Sequence, residues 1–332
     1  METLNKFFKN KINILIVLVI IIGVINSIFF SNNLDKIKKI TIEQGSSTMK
    51  IAQILKDNDV ISSKYAFYLM ANISSYRGQL KYGTFEFDPD ESYFEIIKKI
   101  ATEGEKRKTI SITVPEGYSV EKIIKKLSES GFGTVEEIKS ALNDNYDFGY
   151  LKQLDVPDKC FYKLEGFLFP STYEFYEDAT PHEIFETMLN EFEKQYDSLG
   201  VSYNDLFTTI TKASMIEREA RIDSERAKIA GVFENRLKQN MPLQIDATVI
   251  YAISKGTYNI ERVLYKDLEV DSLYNTYKFN GLPIGPISNP GIKSIQAALN
   301  PEKHNYLYYR TDDKKNDGSH IFTETFQEHK NQ

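Results

Sequence analysis

Residues 204–222 read NDLFTTITKASMIEREARI and have the spacing of one amphipathic helix. At about 3.6 residues per turn, one apolar face collects Leu206, Ile210, Ala213 and Ala220. Glu217 falls in the middle of this face, whereas Glu219 is expected to point the opposite way, toward water. A carboxylate on an apolar face loses hydration, which disfavours its charged form. Glu217 is therefore a candidate proton donor, which is what a general acid must be.

Structural interpretations of Glu217 stay open at this point. A long glutamate can extend its carboxylate from the end of an apolar stripe to water, or pair with Arg221 one turn farther on.

Ser202-x-x-Asp205 predicts a capping box at the start of this helix. The spacing predicts helices over residues 181–198, 204–221, 225–239 and 292–299, with Ser224 or Asp223 as the cap of the third, and a hairpin around 311–319.

Composition and local motifs exclude several classes of function. The net charge of −6 over 332 residues opposes a nucleic-acid surface, which needs a basic excess. The four histidines and the single Cys160 form no zinc-binding pattern, so no metal is predicted. The loop 281–291 is rich in glycine, but its prolines remove the N–H donors that a phosphate cradle needs, and no cofactor is predicted. Carboxylate chemistry remains, with Glu217 as the best-placed group.

The N-terminal segment predicts a membrane anchor. Residues 12–30, INILIVLVIIIGVINSIFF, carry no charge, and as a helix they would span about 28 Å, close to the hydrocarbon core of a bilayer. No small-residue cleavage pattern follows, which favours an uncleaved anchor over a cleaved signal peptide. Lysines flank both ends, so the positive-inside rule gives no orientation. The usual arrangement for such a chain is a short cytoplasmic tail, here residues 1–11, and an external body.

Residues 40–150 contain a repeated local pattern. Segments 41–47 and 113–119 each combine an extended stretch, a glycine turn and a serine N-cap before an amphipathic helix. A second short helix is predicted after each copy, over 62–71 and 134–142. One interpretation is a small α+β module of the LysM type, which grips glycan chains. The other is chance similarity among short units of strand and helix.

A series of motifs gives the chain a resemblance to a known family. In order they are LEGFLFPSTY (164–173), ASMIEREA (213–220), IAGVFENRL (229–237), MPLQIDATVIY (241–251), YNTY (274–277), GLPIGPISNPG (281–291) and YLY (306–308). On these motifs the chain resembles the YceG-like endolytic murein transglycosylases over nearly all of its length. The resemblance implies an α+β fold: the transmembrane helix, the LysM-like module at 40–150, and a mixed α+β catalytic domain at 160–332.

The resemblance also implies a reaction. The family's members are external, membrane-anchored enzymes that cut peptidoglycan glycan strands internally. Their catalytic acid is the first glutamate of the A-S-x-x-E motif, which is Glu217 here. Glu217 would protonate the oxygen between N-acetylmuramic acid and N-acetylglucosamine, and the muramic acid 6-hydroxyl would attack its own anomeric carbon, leaving a 1,6-anhydro end. Because the attack is intramolecular, one carboxylate can act first as acid and then as base, whereas ordinary glycosidases use two.

Further residues are candidates for contacts with the sugar or with Glu217. They are Ser214, Gln244, Asp246, Asn275, Tyr277 and Glu165. Gln244 and Asp246 are two positions apart, so in an extended segment both would project to one side. Asn275 and Tyr277 share this spacing. For each of these residues a role in turns or packing is an open alternative.

Peptidoglycan strands are the expected partner, with peptidoglycan synthases as further candidates, and the expected outcome is termination of nascent strands. Two rival functions stay open. One is an anchored peptidoglycan-binding protein without catalysis, and the other is a muramidase that hydrolyses the strand with water. The glycan ends distinguish these functions. A transglycosylase leaves anhydro ends, a muramidase leaves reducing ends, and a binding protein leaves the strands uncleaved.

Overall fold

The computed structural model describes residues 34–43, 45–89, 91–104, 108–260, 262–315 and 317–331. It confirms the α+β class, because helices are combined with small two-stranded sheets. The predicted anchor at 12–30 lies outside the described residues. From residue 34 onward, none of the described helices has both the length and the apolar character needed to cross a bilayer. The chain divides into two compact units, the first reaching residue 109 and including 176–178, the second comprising 110–175 and 179–332.

In its described residues, the first unit packs three helices with one two-stranded sheet. Its elements are β1 (Lys38–Ile42), α1 (Thr48–Asp57), α2 (Lys64–Ile73), β2 (Gly83–Phe87) and α3 (Tyr93–Glu103). β1 pairs antiparallel with β2, with Ile40 opposite Phe85, and both side chains are buried in the core of this unit. Ser47 caps α1 as predicted, because its hydroxyl oxygen accepts the Lys50 N–H at 3.2 Å.

The second unit contains the motifs of the candidate site. Its elements are β3 (Thr109–Thr113), α4 (Val120–Glu129), α5 (Val135–Ala141), β4 (Thr172–Tyr176), α6 (Pro181–Asp197), α7 (Leu206–Glu219), α8 (Arg226–Lys238), α9 (Asp246–Ser254), α10 (Ile292–Leu299), β5 (Tyr308–Thr311), β6 (His320–Thr323) and α11 (Phe326–Lys330), with 3-10 turns at Leu151–Gln153, Asp223–Glu225 and Tyr265–Glu269. β3 pairs with β4, and β5 pairs antiparallel with β6. The hairpin predicted around 311–319 is confirmed.

The repeated strand, glycine, serine and helix pattern forms in both places, but in different units. In the second copy Gly117 has a φ of 76°, which favours glycine, and Ser119 caps α4 by accepting the Lys122 N–H at 3.3 Å. β3 then pairs with β4, and Ile112 shares a buried core with Phe167. Along the chain, the first unit reaches residue 109 and the second begins at residue 110. Glycan binding by residues 40–150 stays a prediction.

Helix α7 is central to the second unit because it is buried on two sides. Ile210 and Ala213 pack in the same core as Ile295 of α10. Met215 and Ile216 pack on another side, in the core that contains residues of α8 and α9. Burial of a large aliphatic side chain stabilises a fold by about 1.5–3 kcal/mol. These contacts hold the last turn of α7, which carries Glu217, in a fixed position.

The starts of α7 and α8 differ from the sequence predictions. Asp205 precedes α7 with a left-handed φ of 57° and makes no side-chain cap, so the predicted capping box is wrong. Residues 223–225 form a 3-10 turn, and Glu225 precedes α8 without a side-chain cap, so neither Ser224 nor Asp223 caps that helix. The Asp223 carboxylate instead accepts the Arg226 Nε–H at 3.0 Å, which orients the first side chain of α8.

Candidate active site

Glu217 lies near the end of α7 with both carboxylate oxygens engaged. Arg226 Nη1 donates to Oε1 at 3.1 Å, and the Gly291 N–H donates to Oε2 at 3.0 Å. The side chains of Glu217 and Arg226 are only 6% and 9% exposed, so this is a buried ion pair. Pairing of Glu217 with Arg221, the structural alternative from the sequence, is wrong because α7 ends at Glu219, before it reaches Arg221.

Arg226 is itself fixed from three directions. Its Nη1 also donates to Ser294 Oγ at 2.6 Å, and its Nε is held by Asp223. Lys293 pairs with the other oxygen of Asp223. Burial alone would lower the pKa of Arg226, but the charges of Glu217 and Asp223 outweigh it and raise that pKa. The guanidinium therefore stays charged and holds the Glu217 carboxylate in one orientation.

A second carboxylate, that of Glu116, lies beside this ion pair. Glu116 belongs to the loop between β3 and α4, and a Cβ at Gly291 would lie only 1.8 Å from its Oε1. The next residue, Gly117, is close enough that a Cβ there would lie 3.6 Å from Glu217 Cγ. Burial first, and the negative charge of Glu217 second, raise the pKa of Glu116, while Arg226 and Lys293 oppose the shift. Glu116 is therefore a second carboxylate close to Glu217, whereas the sequence had indicated Glu217 alone.

Glu165 is a third carboxylate, but it lies inside the fold. It is 1% exposed, and its oxygens accept hydrogen bonds from the Val120 N–H, the Tyr251 hydroxyl at 2.8 Å and Asn289 Nδ2 at 3.2 Å. Burial raises its pKa to about 8, against the opposing effect of these hydrogen bonds. Asn289 also accepts the Gly166 N–H at 3.0 Å. Glu165 therefore ties the start of α4 to the loop that carries Gly291.

The family model described as YceG-like family matches residues 40–332, which is most of the chain. This chain belongs to the YceG-like family.

Three relatives of this YceG-like chain carry the same name. A Bacillus subtilis protein named endolytic murein transglycosylase is 38% identical over 304 residues, and the match covers 87% of this chain and 82% of that protein. Proteins of the same name from two strains of Streptococcus pneumoniae are 29% identical, and the match covers 84% of this chain. This chain spans only 55% of the length of those streptococcal proteins.

A solved structure has the same architecture. The crystal structure of a YceG-like protein from Listeria monocytogenes aligns with a TM-score of 0.56 at 31% identity. The alignment covers 89% of this chain and 99% of that chain.

Two of the predicted contact residues lie inside this YceG-like fold. Ser214 is fully buried, where its hydroxyl donates to Thr211 O at 2.8 Å and accepts the Ile287 N–H at 3.0 Å. Asn275 is fully buried as well, and its Nδ2 donates to Leu268 O at 2.8 Å and Val270 O at 2.9 Å. Both side chains brace loops, as Glu165 does, and their burial argues against direct contact with a sugar.

Gln244, Asp246 and Tyr277 do lie at the surface, but not in extended segments. Gln244 is exposed and has a left-handed φ of 53°, an uncommon conformation for a residue with a Cβ. Asp246 begins α9 and accepts the Tyr277 hydroxyl at 2.5 Å. The alternation expected for an extended segment is therefore wrong for the pair Gln244 and Asp246 and for the pair Asn275 and Tyr277. Three of these four side chains are nevertheless at least partly exposed to solvent. Sugar contacts by these three residues stay predictions.

Glu219 corrects another expectation. It does not point freely to water, since it is partly buried and accepts the Tyr309 hydroxyl at 2.8 Å from strand β5. Burial raises the pKa of Glu219, with a smaller contribution from the charge of Asp246. The carboxylates of Glu219 and Asp246 therefore form a second acidic group on the other side of α7.

Sequence reasoning missed Arg226, Gly291 and Glu116. Each of them reaches Glu217 from a different loop or helix, and no local spacing connects them. The sequence signals for two of them were that Gly291 ends the motif GLPIGPISNPG and that Arg226 lies three residues before the motif IAGVFENRL. Within the described ranges, no group of three or more metal-ligating side chains is close enough to hold an ion.

Proposed function

We propose that this chain is a lytic transglycosylase that cleaves peptidoglycan glycan strands internally. The observation that carries the proposal is Glu217, a buried carboxylate of the A-S-x-x-E motif held by two N–H donors. The 38% identity to a protein named endolytic murein transglycosylase supports the same activity. The bond cleaved would be that between N-acetylmuramic acid and N-acetylglucosamine.

The first step needs a proton on Glu217. Beside it, burial first and the charge of Glu217 second raise the pKa of Glu116, which favours a proton on the Glu116 carboxyl. Glu217 then donates its own proton to the glycosidic oxygen as the bond breaks. Arg226 and the Gly291 N–H would stabilise the carboxylate that is left, since both already point at its oxygens.

The second step returns a proton to Glu217. The muramic acid 6-hydroxyl attacks its own anomeric carbon, and the Glu217 carboxylate accepts the proton of that hydroxyl. The product is a 1,6-anhydro end, and the enzyme is again protonated. Such an end has no free anomeric hydroxyl, so cleavage of a growing strand would terminate its elongation.

Hydrolysis by water is a second candidate function, and Glu116 favours it. Glycosidases that use water place a second carboxylate near the general acid, and Glu116 is a second carboxylate close enough to Glu217 for its pKa to be affected by that charge. The two functions differ in the acceptor of the anomeric carbon, and therefore in the chemistry of the new end.

The location proposed for this enzyme is the external face of the cell membrane. Residues 12–30 would anchor it, with residues 1–11 in the cytoplasm and the catalytic domain toward the wall. The LysM-like module would supply a second grip on the strand, which raises the effective concentration of glycan at Glu217. Peptidoglycan synthases are proposed partners, since the substrate is their product.

Replacement of Glu217 tests the proposed activity. Glu217→Gln keeps the shape of the side chain and removes its proton transfer, so we expect it to abolish glycan release from sacculi. The control is Glu136→Gln, at an exposed glutamate of α5, which should cleave as wild type does. Cleavage by Glu217→Gln within tenfold of wild type would remove Glu217 from the acid role.

A further inference from the structure

Two cationic side chains lie together beside the candidate catalytic glutamate. Arg218 follows Glu217 on α7, and Lys122 lies in the first turn of α4. Arg218 Cζ is 4.1 Å from the centre of the Tyr258 ring. Lys122 Nζ is 5.3 Å from the same ring and 5.5 Å from the ring of Tyr118. Both cations are therefore held against tyrosine faces.

Gly117 places this cation pair next to Glu217. A Cβ at Gly117 would lie 3.6 Å from Glu217 Cγ and 3.7 Å from Arg218 Nη1. The catalytic carboxylate and the guanidinium thus approach the same backbone position, where glycine leaves the space open. A substrate bound at Glu217 would come within reach of Arg218.

No carboxylate in the described part of the chain forms an ion pair with either cation, and the charge of Arg218 acts on Glu219 only from beyond ion-pair distance. The neighbouring acids Glu121 and Glu217 pair with other cations, and neither Lys122 nor Arg218 forms an ion pair with a described carboxylate. Arg218 Nε is buried without a hydrogen-bond partner among these residues. Burial and the charge of Arg218 lower the pKa of Lys122. Adjacent cations that repel each other in this way attract an anion.

The tyrosine beneath the guanidinium is fixed in an unusual conformation. Tyr258 has a left-handed φ of 52°, its N–H donates to Ser254 Oγ at 3.1 Å, and its hydroxyl donates to Ile287 O at 2.7 Å. Such backbone strain persists only where the surroundings impose it, and it is common at binding sites. The ring thus holds the Arg218 guanidinium in place, while the Arg218 Nε has no hydrogen-bond partner among the described residues.

We propose that Lys122 and Arg218 form a carboxylate subsite for the acidic arm of a muramic acid residue bound next to Glu217, an inference that rests on the proposed function. A stacked guanidinium can donate two parallel hydrogen bonds to a carboxylate, and Lys122 supplies a second positive charge. The carboxylate belongs either to the free lactyl group of a peptide-free strand or to the stem peptide attached to it.

Binding measurements separate this subsite from catalysis. The ligands are peptide-free glycan strands, peptide-bearing strands and neutral N-acetylglucosamine oligomers, each titrated into the full chain carrying Glu217→Gln. Lys122→Gln or Arg218→Gln is then added in that background. The matched control is Lys125→Gln, at an exposed lysine of α4 that pairs with Glu129. We expect each subsite change to weaken binding of acidic strands by about tenfold, with a smaller salt dependence, and to leave neutral oligomers and the control unaffected.

The outcomes distinguish the sources of the carboxylate. A loss confined to peptide-free strands identifies the lactyl group, and a loss confined to peptide-bearing strands identifies the stem. Unchanged affinity for acidic strands, or an equal loss on neutral oligomers, overturns the subsite. Lys122→Gln decides the question alone if Arg218→Gln does not fold. Cleavage by the Glu217→Gln chain would refute the acid role proposed for Glu217 and leave this binding result standing.

Discussion

Replacing Glu165 by glutamine should remove a large pH dependence of stability. The carboxyl is buried, and its pKa in the folded chain is about 8 against an ordinary value of 4.5. The folded state therefore binds this proton more tightly than the unfolded state does. The stability that it contributes is fully present below pH 4.5 and is lost as the pH rises through 8. The difference amounts to about 5 kcal/mol as an upper bound.

Glutamine is neutral at every pH and keeps the shape of the side chain. Its oxygen can still accept from the Val120 N–H and Asn289 Nδ2, and its amide can donate to the Tyr251 hydroxyl oxygen. We therefore expect Glu165→Gln to gain several kcal/mol relative to wild type between pH 5 and pH 8. The hydrogen bonds of the side chain at position 165 with Val120, Asn289 and Tyr251 should be preserved.

The assay is urea unfolding followed by far-ultraviolet circular dichroism at pH 5, 6.5 and 8. Glu136→Gln, at an exposed glutamate of α5, serves as the control and should follow wild type at each pH. The reasoning is refuted if the unfolding free energies of wild type and Glu165→Gln stay parallel over this range. Parallel free energies would mean that a positive charge compensates the Glu165 carboxylate in the folded protein.

Gly291→Ala should reduce glycan cleavage at least tenfold without unfolding the chain, because its Cβ would overlap Glu116 Oε1 at 1.8 Å and displace that carboxylate from Glu217. Gly149→Ala is the control, since a Cβ there meets nothing within 4 Å, and equal activity of the two variants would contradict the packing described. Glu116→Gln should change the limb of the pH profile of kcat/KM that follows Glu116, because the variant removes a carboxyl whose pKa is raised by burial first and by the charge of Glu217 second. An unchanged profile would show that ionisation of Glu116 has no effect on cleavage.

Local signals in the sequence were sufficient for the caps of two helices and for the burial of Glu217. Ser47 and Ser119 each accept the backbone N–H three residues later, as predicted. The caps predicted at 202–205 and at 223–224 do not form. Glu217 is buried because the helical period places it on the apolar face. Such features depend on a few neighbouring residues, which a single sequence displays directly.

Long-range contacts and backbone conformation were not predictable in this way. Glu219 was expected in water, but strand β5 brings the Tyr309 hydroxyl to it. The left-handed φ of 53° at Gln244 turns the chain before α9, so the alternation expected for an extended segment does not arise. Glu116 reaches the Gly291 backbone beside Glu217 only because β3 and α4 join the same core as α7. Tertiary packing decides each of these positions, and no local pattern encodes it.

The chemistry of the new glycan ends tests the central claim most directly. Purified protein is incubated with intact glycan strands, and the released fragments are analysed by mass spectrometry beside those from the Glu217→Gln variant. Intramolecular attack by the 6-hydroxyl predicts 1,6-anhydro ends from wild type and no fragments from the variant. Reducing ends from wild type would contradict the claim and assign Glu217 and Glu116 to hydrolysis by water.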